Sequence, residues 1–405
     1  MKRYLTAALA CAAIFAGAQT LEETASIYKA YPTPSGVRAK APEGYEPFYI
    51  SHYGRHGSRW ITDDERYLAT IAPFDSAYAI GGLTTLGIDV RERLQRINDD
   101  AIGRSGSLTP IGERQHHDIA SRMYEAFPQV FAYPAKVHAV SSTSMRCAMS
   151  MSAFTEALKE HNPLLLVKRE PYAKHMDYIA YTSPEAKAFH NDTTWRNEYI
   201  ALIRDIVKPQ RLMASLFTDP SGIDPITQYK IMENLYWAAS DMQDVELDEN
   251  LYDIFTYDEL YAIWRTINAR MYACNGNYPA ANGVMLKSAD SLLDDIIAKA
   301  DSAIANGDVS ANLRFGHDTN LLRLLARMGI KGCAEATAKL ADAHTVWRDY
   351  QLSPMAANLQ LVFYRNGKGN VLVRLLLNEE DAYLPIQSAN APFYNWSDVK
   401  AYWKR

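Results

Sequence analysis

Tyr49-Ile50-Ser51-His52-Tyr53-Gly54-Arg55-His56-Gly57-Ser58-Arg59 starts as an aromatic and β-branched run and ends in a turn bracketed by glycines. The run Phe48 to Ser51 predicts a strand, and Gly54 and Gly57 let the backbone turn sharply behind it. In open α/β sheets, ligands bind outside the carboxyl ends of strands. Arg55, His56 and Arg59 therefore fall where a site is expected. Two arginines offer planar forks that match phosphate oxygens bidentately. A histidine between them can attack phosphorus and carry the phosphoryl group. His52 and His56 are four apart, a metal-ligand spacing on a helix. A strand-turn does not put them on one helical face, and the adjacent arginines repel a cation, so no metal is expected.

Five further runs read as strands: Lys136 to Ser141, Leu164 to Lys168, Leu313 to Phe315, Leu359 to Tyr364 and Val371 to Leu377. The last two flank Arg365-Asn366-Gly367-Lys368-Gly369-Asn370, a hairpin signal. Helical patterns separate the others. Thr109-Pro110 reads as an N-cap with proline at the first helical position, before apolar Ile111, Ile119, Met123 and Phe127. Ser142 to Leu158 predicts a second helix, closed by Asn162-Pro163. From about Pro171 to Ile304 the pattern is almost wholly helical, with Trp, Tyr and Met as packing residues. Its last helix, Ser288 to Ala305, is amphipathic and stops at Asn306-Gly307. The expected fold is a three-layer α/β sandwich with a mostly parallel central sheet. Residues 19–169 and 305–405 would form the α/β core, with a mainly α-helical domain inserted over 170–304.

Three more segments bear on the chemistry. Leu108-Thr109-Pro110-Ile111-Gly112 opens a helix. Ser141-Ser142-Thr143-Ser144-Met145-Arg146 leads from a strand into another. Arg314-Phe315-Gly316-His317-Asp318-Thr319-Asn320 does the same near residue 316. With the Arg-His-Gly turn, these four segments resemble the histidine phosphatase superfamily, in its branch of acid phosphatases, phytases and inositol polyphosphate phosphatases. That branch carries Arg-His-Gly-x-Arg-x-Pro. Here Trp60 and Ile61 follow Arg59, so the proline is missing, and proline carries none of the chemistry. The resemblance implies a phosphomonoesterase that works without a cofactor or metal. His56 would be the nucleophile, and Arg55, Arg59, Arg146 and His317 would bind the phosphate. Asp318 would protonate the leaving alkoxide and later take a proton from the attacking water. It must be protonated when needed, which calls for an acidic optimum or a raised pKa. Phytate or another inositol polyphosphate is the candidate substrate. Lys174 and His175, early in the helical segment, are candidate extra phosphate contacts, or ordinary surface residues. Two rivals keep the scaffold: an inactive phosphate-ester-binding protein, and a phosphomutase.

Composition narrows the field from the other side. The 405 residues are 48% hydrophobic and 22% charged, with 20 Gly and 18 Pro, which excludes collagen-like and disordered chains. A net charge of −5 argues against a general nucleic-acid binder. Met1-Lys2-Arg3, the apolar stretch Tyr4 to Phe15 and Ala16-Gly17-Ala18 fit a signal peptide over 1–18, hence a periplasmic or secreted product. Cys11 follows Ala8-Leu9-Ala10, a poor lipobox. No later segment approaches 18 consecutive apolar residues, so no membrane association is expected after cleavage. Cys147, Cys274 and Cys333 match no zinc spacing; Cys274 and Cys333 could pair, or all three could be buried thiols. His116 and His117 are read on a solvated helix face, and His138 as core.

Overall fold

The protein, seen here as a computed structural model, is described over residues 19–36, 39–132 and 134–404. The signal-peptide reading and Cys11 lie outside those residues. After a 3-10 turn at Glu22–Tyr28 comes β1 (Tyr45–Arg55), then α1 (Asp64–Ala79), α2 (Thr85–Ala101) and α3 (Pro110–Ala126). β2 (Lys136–Ser141), α4 (Met145–His161) and β3 (Leu166–Glu170) follow. The regular elements from there to residue 306 are helical: α5 (Met176–Ile179), α6 (Pro184–His190), α7 (Thr193–Ile206), α8 (Gln210–Leu216), α9 (Pro225–Asp241), α10 (Tyr257–Asn275), α11 (Val284–Lys287) and α12 (Asp290–Asn306). The chain returns through β4 (Ala311–Gly316), α13 (Asp318–Arg327), α14 (Ala343–Val346) and α15 (Asp349–Leu352). It ends with β5 (Asn358–Asn366), β6 (Val371–Leu377), β7 (Glu380–Ala382), β8 (Phe393–Asn395) and α16 (Trp396–Trp403).

One sheet holds all eight strands, in the order β3-β2-β4-β1-β5-β6-β7, with β8 also paired to β6. The expectation of a mostly parallel sheet needs correction. β3, β2, β4 and β1 pair in parallel, whereas β5 runs antiparallel to β1, and β6, β7 and β8 continue antiparallel. Connection length accounts for part of this, though β5 itself reverses after a long helical connection from β4. Helical crossovers link the parallel strands, while the turn between β5 and β6 reverses the chain directly. In that turn Asn366 Oδ1 accepts from the amides of Lys368 and Asn370, and Gly369 has φ +81°.

The sheet has an apolar layer on each face. Tyr49 and Tyr53 of β1 point into one core with Leu361, Phe363, Leu324 and Trp403. Ile50 points into the other with Phe315, Met151 and Phe154. This alternation is the period-2 signature of a strand buried on both sides. The first core runs on without a break into α8, α9 and α10 and takes in Phe74 of α1 and Leu94 of α2. The start of α2 is sealed against α8: Thr84 N donates to Leu216 O at 3.0 Å. A Cβ on Gly87 would lie 2.1 Å from that same oxygen, so glycine permits the contact. Among the described residues no helix is long and apolar enough to cross a membrane.

Candidate active site

The site sits at the carboxyl ends of β1, β2 and β4. The Arg-His-Gly turn is locked onto the start of α3 by backbone contacts that tolerate no side chain. A Cβ on Gly57 would lie 2.4 Å from Gly112 O, and one on Gly112 would lie 2.2 Å from Ser58 O. Thr109 caps α3 by accepting from Gly112 N, while its own amide and hydroxyl both donate to Ser58 O. Ser58 N donates to Gln115 Oε1 and Gly57 N to Ser150 Oγ. On the other side, a Cβ on Gly316 would lie 2.1 Å from the Tyr53 hydroxyl. That hydroxyl accepts from His317 N at 3.2 Å and donates to Ile179 O at 2.9 Å. The loops carrying His56 and His317 are thus fixed by backbone packing before any ligand arrives.

His56 is buried, and its Nδ1 lies 2.9 Å from the Gly57 carbonyl. A carbonyl only accepts, so that nitrogen carries the proton and Nε2 carries the lone pair. Burial, then the charges of Arg55, Arg59, Arg146 and His317, hold His56 well below the usual histidine pKa. The direction favours the neutral imidazole, the form that can attack. Arg55 is fully buried; both hydrogens of Nη1 are used, on Ile27 O at 2.6 Å and Ser353 O at 2.8 Å. Its Nε and Nη2 have no hydrogen-bond partner among the described residues, and Nη2 stands 3.7 Å from Asp318 Oδ2. Arg59 lies over the Tyr28 ring, 4.7 Å from its centroid, and donates to the Tyr28 hydroxyl and to Trp60 O. Arg146, in the first turn of α4, donates to Gly106 O at 3.4 Å.

His317 stands edge-on to His56 with ring centroids 5.7 Å apart, and its Nε2 meets Ser142 Oγ at 3.2 Å. Burial and Arg146 lower its pKa to about 4, with Asp318 opposing. Asp318 is the first residue of α13 and accepts from Thr319 N at 2.8 Å. Burial pushes its pKa up, but Arg55, His317, the Thr319 amide and Arg59 outweigh it, and the net direction is down. The direction is opposite to the raised pKa considered for this group, which leaves the acidic optimum as the other expectation.

The six residues come from three of the four motifs and bear on one another: Arg55 Nη2 stands 3.7 Å from Asp318, His56 faces His317, and the charges of Arg55, Arg59 and Arg146 all act on His56. The chain matches the histidine phosphatase superfamily (branch 2) over residues 55–378. It belongs to that family. It is 24% identical over 408 residues to multiple inositol polyphosphate phosphatase 1 of Gallus gallus, covering 92% of this chain and 84% of that one. The multiple inositol polyphosphate phosphatase of Bifidobacterium longum, solved with inositol hexasulfate, superposes with a TM-score of 0.79 at 19% identity, covering 94% and 97%. The phytase from D. castellii gives 0.69 at 16%, covering 95% and 84%. The mixed α/β fold is that of these phosphatases. The protein is a phosphoric monoester hydrolase of the histidine acid phosphatase and phytase kind.

Other expectations fare differently. Lys174 and His175 are engaged elsewhere: both bond Glu170 at the end of β3, as do Lys168 and His138. His138 is half-buried in that cluster, not core. His117 is exposed and bonds Glu160, but His116 is buried against Phe154 and Phe315, contrary to the solvated reading. Its place was visible in the spacing, since His116, Ile119, Ala120 and Met123 share one face of α3. Cys274 and Cys333 do not pair; all three described cysteines are free and buried. Sequence reading missed the residues that support the arginines: the Ile27 and Ser353 carbonyls, Tyr28, Ser58, Gln115 and Asp244. Apart from Ser58, which lies inside the Arg-His-Gly stretch, they come from other segments and carry no local motif.

Proposed function

We propose that the enzyme hydrolyses inositol polyphosphates through a phosphohistidine, with His56 as nucleophile and Asp318 as acid and base. The observation that carries this is the fixed tautomer of His56: Nδ1 is held by the Gly57 carbonyl, Nε2 keeps the lone pair, and the charges of Arg55, Arg59, Arg146 and His317 all bear on the ring. Nε2 attacks phosphorus, the bond to the ester oxygen breaks, and Asp318 gives that oxygen a proton. Water then attacks the phosphoryl group, Asp318 takes a proton from it, the P–N bond breaks and inorganic phosphate leaves. Charge builds on the equatorial oxygens, and the arginine forks are already in place to receive it.

A polyphosphorylated substrate is supported by a second basic cluster. The charges of Arg196, Arg270 and Arg323 all bear on Cys274 and on His190. Arg323 lies on α13, five residues after Asp318, and Arg270 Nε has no hydrogen-bond partner among the described residues. One phosphate in the catalytic cluster leaves others on the same ring to meet this charge. The names of the avian and bifidobacterial relatives agree with that substrate class. Phosphate release from phytate, sugar phosphates and nitrophenyl phosphate, with chelator present, tests the reading. Phytate should give the highest kcat/KM. Release from none of them would leave a binding protein. Export is supported by the pattern of residues 1–18. N-terminal sequencing of the periplasmic or secreted protein should start at Gln19.

A further inference from the structure

Two buried carboxyl groups touch the catalytic loop and have no part in the chemistry just described. Asp241 ends α9 and Asp244 follows one turn later, its amide donating to Asp241 O at 2.8 Å. Both are fully buried. Asp244 Oδ1 accepts from Ser58 Oγ at 2.5 Å, and that hydroxyl accepts in turn from Gln115 Nε2 at 2.8 Å. Ser58 stands between His56 and Arg59. Asp241 Oδ2 accepts from the Tyr67 hydroxyl at 2.7 Å, which itself receives Ile61 N at 2.8 Å, just beyond Arg59. The pair therefore holds both ends of the segment 58–61. Each carboxyl keeps one oxygen without a hydrogen-bond partner among the described residues, as do Arg55 Nε and Nη2 and Arg59 Nε on the facing loop.

We propose, on the phosphatase reading above, that Asp241 and Asp244 are positioning residues. They pin the arginine loop to the helical segment, and their charge sets the alkaline limit of phosphate-anion binding. Two ionised carboxylates here would cancel much of the field that Arg55 and Arg59 offer a phosphate. As neutral acids they can hold the loop and leave that field intact. Burial, ahead of all other influences, raises Asp241 to about 7 and Asp244 well above the carboxylate range. The charged and titratable groups facing them are Arg55 and Arg59 from the loop, Tyr67 from α1, Asp100 from α2 and Tyr252 beyond α9. The arginines favour ionisation; Asp100 and the neighbouring carboxyl oppose it. As pH rises past neutrality Asp241 loses its proton beside Arg59, and anion affinity should fall.

The test is the pH profile of nitrophenyl phosphate hydrolysis by the full-length enzyme and by Asp241→Asn, Asp244→Asn and Asp244→Ala. Above pH 7 the wild-type KM should rise about tenfold, as a new charge next to the clamp would require. Asp241→Asn should flatten that rise and keep kcat at pH 5 within about threefold, because an amide copies the neutral acid. Asp244→Ala should lose about tenfold or more in kcat/KM at pH 5, and Asp244→Asn should restore it, its amide oxygen still accepting from Ser58. If both asparagine variants follow the wild-type profile, or alanine serves as well as asparagine at 244, the proposal is wrong. Should Asp244→Ala not fold, the Asp241→Asn profile decides alone. Failure of wild-type hydrolysis would instead refute the phosphatase reading, and phosphate binding by calorimetry at pH 5 and 8 would still test the carboxyl pair.

Discussion

Arg55→Lys should separate a charge from a fork. In the wild type, Nη1 is fixed by Ile27 O and Ser353 O, which leaves Nε and Nη2 for a ligand. A lysine ammonium has no second arm. The two carbonyls that hold Nη1 would also draw it, so the buried positive charge and the fold survive, but the two donors for the phosphoryl oxygens are lost. A hydrogen bond to a charged group contributes about 1.5–3 kcal/mol. Two of them, partly offset by the retained charge, amount to about 3–5 kcal/mol, or roughly 10²- to 10⁴-fold in rate. The loss should fall mainly on kcat, because the forks meet more charge in the transition state than in the ground state. Steady-state kinetics on nitrophenyl phosphate at pH 5, with unfolding temperature measured alongside, would show it. A folded Arg55→Lys enzyme within fivefold of wild type would mean that Arg55 acts only as a charge, and the reasoning from its fixed fork would fail.

His56→Ala should abolish hydrolysis with the fold retained, and rapid quenching of the native enzyme with labelled substrate should mark His56. Asp318→Asn should cost far more on alkyl phosphates than on nitrophenyl phosphate, whose leaving group needs little protonation; equal losses would make Asp318 a positioning group. Activity should survive exhaustive chelation, and vanadate should inhibit competitively and more tightly than phosphate, because a site that favours the transition state binds a trigonal bipyramid better than a tetrahedron; restoration of a chelated enzyme by zinc or magnesium would reverse this.

The site was legible because its parts are local. Two motifs run from a strand end into a helix start, one is a strand end with its turn and one is a helix start alone, and the glycines at 57, 112 and 316 stand where a Cβ would strike backbone or a buried hydroxyl. The mixed sheet was less legible, since strand direction depends on connections and β7 and β8 are only three residues long. Asp241 and Asp244 look like any polar pair at a helix end. Only the folded chain brings them under Ser58, 186 residues away along the sequence in the case of Asp244. Lys174 and His175 show what sequence leaves out: read as candidate phosphate contacts or ordinary surface residues, both bond a nearby buried glutamate, Glu170, which no local pattern announces.

The acid poses a last problem, because the charges around Asp318 lower its pKa, yet it must deliver a proton. The same arginines resolve it. Burial alone would raise its pKa; Arg55, His317 and Arg59 reverse that. An anionic ester group seated on those groups offsets their charge at Asp318 and adds its own, so burial should then dominate and the carboxyl should gain a proton. Substrate binding would thus load the acid. Inositol hexasulfate suits the test, since a related phosphatase was solved with it and sulfate esters do not titrate near pH 5. Calorimetry in buffers of different ionisation enthalpy should show about one proton taken up on binding near pH 5, because the carboxyl passes from below to above the ambient pH. Uptake should vanish in Asp318→Asn. No uptake between pH 4 and 7 would mean that the arginines do not control the acid. Uptake that persists in Asp318→Asn would assign the proton to His56 or His317, whose pKa values the same charges depress. A protonated His56 could not attack, so an uptake that a His317→Ala variant leaves unchanged would also count against the nucleophile.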